Sequence, residues 1–318
     1  MIGRLLLATV LAVAPPPVRV VGHILGKEDP AATLGGIRVV LHRVGRLAQG
    51  PIDTTITDRG GRFIFQYPFD SAASYLVSAR YSGIEYFSPP IGARPARPDT
   101  ALRLVVYDTS SAAPVATRSR TLVVGSADAT GARTVIDWVV LDNRGTITRV
   151  GQDSTQPSWG AAMPRNAMNP VVGDARLSQI SPEAVDFRSD SVFVLAPISP
   201  GSKEVLLQYE LPPSARTFTV GIGGIDTVDV FLEERAAAVE GTGWIARDSQ
   251  LFEGRRFRRY ASVGVPPPTL TVTLPGAPDL PRFALPALVV VMGLGLAGVA
   301  WYRMQRPVAP SAGPRTPS

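Results

Sequence analysis

The chain of 318 residues contains no cysteine. That excludes disulfides, thiolate metal sites, thiol catalysis, c-type haem attachment and a lipidated N-terminal cysteine. Histidine is nearly as scarce, with His23 and His42 alone. A catalytic or metal centre needs several convergent ligands, and neither histidine has a serine or cysteine nucleophile pattern around it. Lysine is confined to Lys27 and Lys203, so arginine carries the net charge of +6. An arginine and alanine bias of this kind reflects coding composition, and nucleic acid is not an expected partner. Hydrophobic residues make up 45% and charged residues 18%, enough apolar material to build cores and too little charge for a disordered chain.

Long apolar runs are missing too, with one exception. Phe283 to Tyr302, FALPALVVVMGLGLAGVAWY, carries no charged residue. As a helix rising 1.5 Å per residue it would span roughly 30 Å, the thickness of a bilayer core. Arg303 and Arg306 follow it, which places 303–318 on the cytoplasmic side, and Trp301 and Tyr302 suit the interfacial belt. The other end, 1–17, reads as a signal peptide: Arg4 for the n-region, Leu5 to Val13 apolar, and Ala12-Val13-Ala14 for cleavage. Pro15, Pro16 and Pro17 fit poorly directly after such a cut. The stretch 275–282 reads as a stalk held extended by proline.

Between these ends the dominant pattern is alternation, and we expect an all-β ectodomain of two tandem β-sandwich domains, 18–110 and 120–274, joined by a small-residue linker at 111–119. In the first, Ile37, Val39 and Leu41 share one face, Phe63 and Phe65 point together, and Tyr75, Val77, Ala79 and Tyr81 alternate with Leu76, Ser78 and Arg80. Glycine pairs at Gly35-Gly36 and Gly60-Gly61 mark turns.

The succession Val21-Gly22-His23-Ile24, Gly36-Ile37-Arg38-Val39-Val40-Leu41, Thr57-Asp58-Arg59-Gly60-Gly61-Arg62-Phe63-Ile64-Phe65 and Tyr75-Leu76-Val77-Ser78-Ala79-Arg80-Tyr81 resembles the carboxypeptidase regulatory-like domain. The resemblance implies a transthyretin-like, seven-stranded sandwich over 18–110 and no peptidase, since the zinc-binding catalytic domain has no counterpart here. In the T-D-x-x-G-x-F stretch, Asp58 can close a turn, a glycine takes the strained position and Phe63 returns to the core.

In the second region we expect strands at Thr134 to Leu141, Ser191 to Ala196, Glu204 to Leu211, Thr217 to Gly223, Thr227 to Glu233, Arg256 to Ser262 and Thr269 to Leu274, paired antiparallel. The turn Asp142-Asn143-Arg144-Gly145 reads as a hairpin answered by Thr146 to Val150. Val150 to Pro182 is aperiodic and rich in Gly, Pro, Asn and Ser, which reads as a long loop. Val106-Tyr107-Asp108-Thr109, Pro197-Ile198-Ser199-Pro200-Gly201 and Tyr209-Glu210-Leu211-Pro212 make this region similar to the C-terminal half of bacterial envelope proteins that join such a module to a further sandwich and a membrane helix. That similarity supports layout only; it adds an accessory role in an envelope assembly system, such as cytochrome c maturation, to the readings.

Four clusters deserve weighing. Asp226, Asp229, Glu233 and Glu234 could suggest calcium, but this cation wants about six to eight oxygens from a compact loop, and a solvated strand face fits better. Met163 and Met168 could hold Cu(I), yet two thioethers without a third ligand pack more readily on Trp159. Trp159, Met163 and Met168 together are the candidate partner-binding residues, because the loop carrying them is the longest aperiodic stretch. Arg255, Arg256, Arg258 and Arg259 form the densest charge cluster, either a charged edge strand or a contact for anionic lipid or an acidic partner. Gly293 and Ala297 offer a small-residue pair for self-association of the helix.

The sequence thus predicts a non-catalytic, single-pass protein of the cytoplasmic membrane, with no cofactor and no metal. Its ectodomain, in the periplasm or outside the cell, would bind or scaffold an envelope protein. A carbohydrate or cell-wall-binding module is the alternative; it needs an exposed row of aromatics, drawn from Tyr81, Tyr86, Phe87 and Trp159.

Overall fold

The computed structural model describes residues 17–26, 33–46, 49–91, 101–174, 178–252 and 254–276. The apolar run 283–302, the tail after it and nearly all of the expected leader lie outside the described residues. No helix among the described residues is long and apolar enough to cross a membrane.

The described chain is all-β apart from a short 3-10 turn at Pro182–Ala184, and it builds two separate cores. In the first module the strands are β1 (Pro17–Gly26), β2 (Arg38–Gly45), β3 (Gln49–Ile56), β4 (Arg62–Pro68), β5 (Ala73–Tyr81), β6 (Ile84–Phe87) and β7 (Ala101–Val106). They form a three-stranded sheet, β4-β1-β7, and a four-stranded sheet, β3-β2-β5-β6. Period-2 alternation sends Phe63, Phe65 and Tyr67 of β4 inward against Val39, Leu41, Tyr75 and Val77 of the other sheet. Tyr67 and Tyr75 rings lie 4.5 Å apart, which closes that end of the core.

Two glycines have jobs that no other residue could do. Gly61 sits at φ 69°, and a Cβ there would lie 2.8 Å from Thr33 Cβ and 2.9 Å from the Ile24 carbonyl. It closes the turn that Asp58 organises: the Asp58 carboxylate accepts the Gly60 and Arg62 amides, each at 2.9 Å, and the Asp58 carbonyl accepts the Gly61 amide. Gly22 lets Phe63 lie across β1, since a Cβ would fall 2.3 Å from the ring.

The second module follows a two-residue strand, β8 (Thr109–Ser110). Its strands are β9 (Ala116–Val124), β10 (Arg133–Asn143), β11 (Thr148–Arg149), β12 (Trp159–Ala162), β13 (Met168–Val172), β14 (Val185–Arg188), β15 (Ser191–Val194) and β16 (Gly201–Leu211). Then come β17 (Thr217–Gly221), β18 (Ile225–Leu232), β19 (Ala238–Glu240), β20 (Trp244–Phe252), β21 (Arg255–Ser262) and β22 (Thr269–Thr273). One large sheet has the order β13-β16-β10-β9-β18-β21-β20. Two three-stranded sheets, β12-β15-β14 and β17-β22-β19, supply the other side of the same core. Val135, Val139 and Leu141 of β10 point into that core, while Ile136 and Trp138 face out.

Several expectations change here. Most pairing is antiparallel as expected, but β9 and β18 run parallel; the long chain between them leaves ample length for a crossover. The stretch 146–150 does not fold back on β10 as a hairpin; Thr148–Arg149 instead pairs in parallel with β8. The turn survives because Asn143 is buried, accepting the Gly145 amide and donating to the Ile147 and Ile198 carbonyls at 2.9 Å each. The aperiodic stretch 150–182 contains β12 and β13, both short and both made mainly of small or irregularly alternating residues. Residues 116–119 of the expected linker already belong to β9.

The two modules meet through specific bonds. Tyr86 donates to the Tyr107 carbonyl at 2.7 Å and lies 3.0 Å from Thr148 Oγ1. The Thr148 amide donates to the Asp108 carbonyl at 2.8 Å, and Ser82 donates to the Asp108 carboxylate at 3.0 Å.

A candidate binding cleft at a divided sheet layer

The division of one layer into two small sheets determines the chemistry of the second module. Each small sheet presents an edge strand, β12 or β17, along the seam between them. Edge carbonyls turned into a core must find donors. Arg120 supplies them from the large sheet opposite. It lies at an inward position of β9, in phase with Leu122 and Val124. Its Nη2 donates to the Ala162 carbonyl at 2.9 Å and its Nη1 to the Gly221 carbonyl at 3.3 Å, so one guanidinium ties both edges.

That buried cation is balanced by Asp137 of β10. Nε and Nη2 of Arg120 reach the two carboxylate oxygens at 2.9 and 2.6 Å, and neither side chain is exposed. Burial alone would lower the Arg120 pKa, but the Asp137 carboxylate outweighs it and holds the guanidinium charged. Tyr209 is fully buried beside the pair, its hydroxyl without a hydrogen-bond partner of ordinary geometry. Desolvation and the adjacent carboxylate raise its pKa well above that of an ordinary phenol. A second buried arginine, Arg133, holds Glu234 at 2.8 and 3.2 Å and the Pro275 carbonyl at 2.8 Å.

Beyond the Arg120 bridge the seam opens into a cleft of about 600 Å³. Ala162 marks the closed end with Gly221, where a Cβ on the glycine would come within 3.3 Å of the Ala162 methyl. From there one wall follows Met163 to Asn166, backed by Asp190 and Ser191; the other runs back along β17 to Thr217. Buried Met163 and Phe218 make its interior apolar, and Thr217, Thr219 and the Arg165–Asp190 pair, 3.5 Å apart, make its rim polar. The volume falls within the range of about 300–1,000 Å³ typical of ligand sites.

The three candidate partner-binding residues of the expected loop are not gathered on one surface. Met163 lies inside the cleft, and its amide donates to the Asp190 carbonyl at 2.7 Å. Trp159 packs on the core and its indole N–H donates to Thr117 at 3.1 Å. Met168 lies on β13, the outer strand of the large sheet, opposite Glu210.

Two of the four arginines of the basic cluster are neutralised from within. Arg255 reaches Glu233 at 2.6 Å through Nε, and Arg259 holds Asp229 at 2.8 and 3.1 Å. Arg258 donates to the carbonyls of Ala237 and Glu234 and to the Tyr260 hydroxyl, while Arg256 is exposed. The acidic set is absorbed by the same pairs, together with Arg144–Asp226 at 2.8 Å and Arg133–Glu234. Among the described residues no three histidine, aspartate or glutamate side chains gather as metal ligands would.

His42 Nε2 lies 2.8 Å from Ser78 Oγ, a pairing with no signal in the sequence spacing. Ser78 is completely buried, so this oxygen is out of reach of any substrate and the contact joins β2 to β5. Of the aromatic candidates for a glycan platform, Tyr86 is buried at the junction, Tyr81 and Trp159 are half-buried, and Phe87 alone is well exposed, at 57%.

Comparison of the sequence with protein-family models gives no match, and comparison with curated proteins gives none.

Proposed function

We propose that the chain is a non-catalytic, membrane-anchored envelope protein: two tandem β-sandwiches, the first resembling a carboxypeptidase regulatory-like domain, followed by a C-terminal membrane helix. Its ectodomain binds or scaffolds a partner protein at the outer face of the cytoplasmic membrane. The observation that supports binding is the cleft between β12 and β17, a concave surface with an apolar interior and a polar rim. The support for anchoring is the charge-free run 283–302 and the arginines after it.

Two experiments test this reading. An alkaline phosphatase fusion after Pro281 should be active and a fusion after Ser318 inactive; the reverse pattern overturns the topology. Mild solubilisation of membranes should then recover the full chain with a stoichiometric protein partner. Recovery alone, with soluble wall oligosaccharides retained by the purified chain, would transfer the function to glycan binding.

A further inference from the structure

One wall of the cleft is the free edge of β17; the other is the segment 163–166 that follows β12, backed by Asp190 and Ser191. Among the described residues β17 is laddered to β22 alone, and β12 to β15 alone. The two edges touch at Ala162 and Gly221, where Arg120 already takes both carbonyls. Beyond that point the edge of β17 faces the 163–166 segment across the cleft, which Thr217, Phe218 and Thr219 line. A ladder partner would lie about 4.8 Å from β17, and among the described residues none pairs with it on that side. The layer is therefore one strand short at the place where it opens to solvent.

The chemistry of the cleft fits a polypeptide. Its fixed charges, Arg165 and Asp190, face each other and leave no net charge to attract an ion. What it offers instead is a strand edge, with apolar Met163 and Phe218 on the inner side and the exposed hydroxyls of Thr217 and Thr219 on the outer. A strand laid against β17 would turn alternate side chains to these two sides. Main-chain bonds would supply affinity, and the Met163–Phe218 interior would select an apolar residue at every second position.

We infer that the seam receives an extended segment of a partner protein, which adds to β17 as an extra strand. This rests on the binding function proposed above and specifies its ligand as a peptide of alternating apolar and polar residues.

The test uses the full chain in detergent micelles and a displayed library of short random peptides. Selected peptides should alternate apolar and polar residues, and their binding, read by fluorescence anisotropy, should protect the 217–221 amides from hydrogen exchange. Methylating the peptide's backbone nitrogens on the edge facing β17 should weaken binding roughly tenfold or more. Methylation on the opposite edge should leave it nearly unchanged. Ser191→Trp, which fills the cleft, should abolish binding; Thr219→Pro, which removes an amide on the free edge of β17 while Phe218 and Val220 keep their bonds to β22, should weaken it and serves as the second variant should the first fail to fold.

No peptide retained at millimolar concentration, equal binding by the folded variants, or unprotected 217–221 amides would overturn the inference. A partner that co-purifies equally with wild type and both variants leaves the binding function standing and removes the cleft from it. Loss of every partner from the wild-type chain fails the function itself.

Discussion

The two modules solve the same packing problem with opposite chemistry. In the first, three strands face four across a core whose buried polar residues, among those described, are the hydroxyl-bearing Thr57, Ser78 and Ser88. In the second, seven strands face a divided layer, and the buried set includes Arg120, Arg133, Asp137 and Asn143. Where both covering sheets are continuous, the few backbone groups left over are met locally by short hydroxyls: Ser88 accepts the Val77 amide, and Thr57 accepts the Ile37 amide and donates to the Leu34 carbonyl. A layer broken in two leaves carbonyls without partners inside a core, and only a long donor from across the core can reach them. The guanidinium is suited to this, with five N–H groups in a fixed fork; Arg120 directs two N–H groups, from Nε and Nη2, to Asp137 and two, from Nη2 and Nη1, to the seam.

The largest break in this contrast is at Arg120. Arg120→Met strands the buried Asp137 carboxylate and both seam carbonyls, and should cost about 3–5 kcal/mol. Adding Asp137→Leu removes the orphaned charge and should recover part of the loss, leaving the cost of Ala162 and Gly221. Urea unfolding followed by hydrogen exchange of β10 and β16 amides measures both. Equal destabilisation by the single and double variants would show that the charge balance is not what matters there.

In the first module the vulnerable points are steric. Phe63→Ala empties a fully buried site and should cost about 3–5 kcal/mol. Gly61→Val meets both an unfavourable φ of 69° and the Thr33 and Ile24 atoms under 3 Å away, for about 1–3 kcal/mol. Both should lower the protection of β4 and β5 amides while those of β10 stay as they are. Wild-type protection in either variant would refute the turn.

Smaller effects sharpen the comparison at its borders. Tyr86→Phe removes the donor to the Tyr107 carbonyl and the link to Thr148, and should cost about 0.5–1.5 kcal/mol. Its signature is a lowered melting of both modules together; an effect on the first alone would show them uncoupled. Arg255→Ala breaks a half-exposed pair with Glu233, for at most about 1 kcal/mol. A loss beyond that in thermal melting would mean that the pair also holds the 125–127 turn, whose Ser126 amide donates to the same carboxylate at 2.6 Å.

Strands with one buried face were legible in the sequence. The alternation of β4, β5, β10 and β16 marks them, and the Asp58 turn is visible from its residues alone. β3 and β20 carry no such signal, because both lie at sheet edges with nearly every residue exposed. β12 was hidden by its glycine: Gly160 lies under the Phe193 ring, where a Cβ would come within 2.6 Å. The seam and its cleft depend on pairing between residues far apart in the chain, which periodicity does not encode.

Arg120 and Asp137 did leave a trace, however. Each stands at an inward phase of a strand, Arg120 two residues before Leu122 and Asp137 between Val135 and Val139. Charges of opposite sign at apolar phases of adjacent strands are the signal of a buried pair, and reading them so would have placed this pair in the core.

Arg133 has a mechanical consequence. The last described strand, β22, is the middle one of its sheet, flanked by β17 and β19, and the Pro275 carbonyl just beyond it is held by the same guanidinium that holds Glu234. A pull applied at Gly276 along the strand axis cannot peel β22 off bond by bond. It loads two ladders and a charge-assisted clamp at once, in shear, so the bonds must yield together. Rupture under load is governed by the unfolding rate rather than by equilibrium stability. The molecule therefore resists a tug at this end more than its modest strand of five residues would suggest.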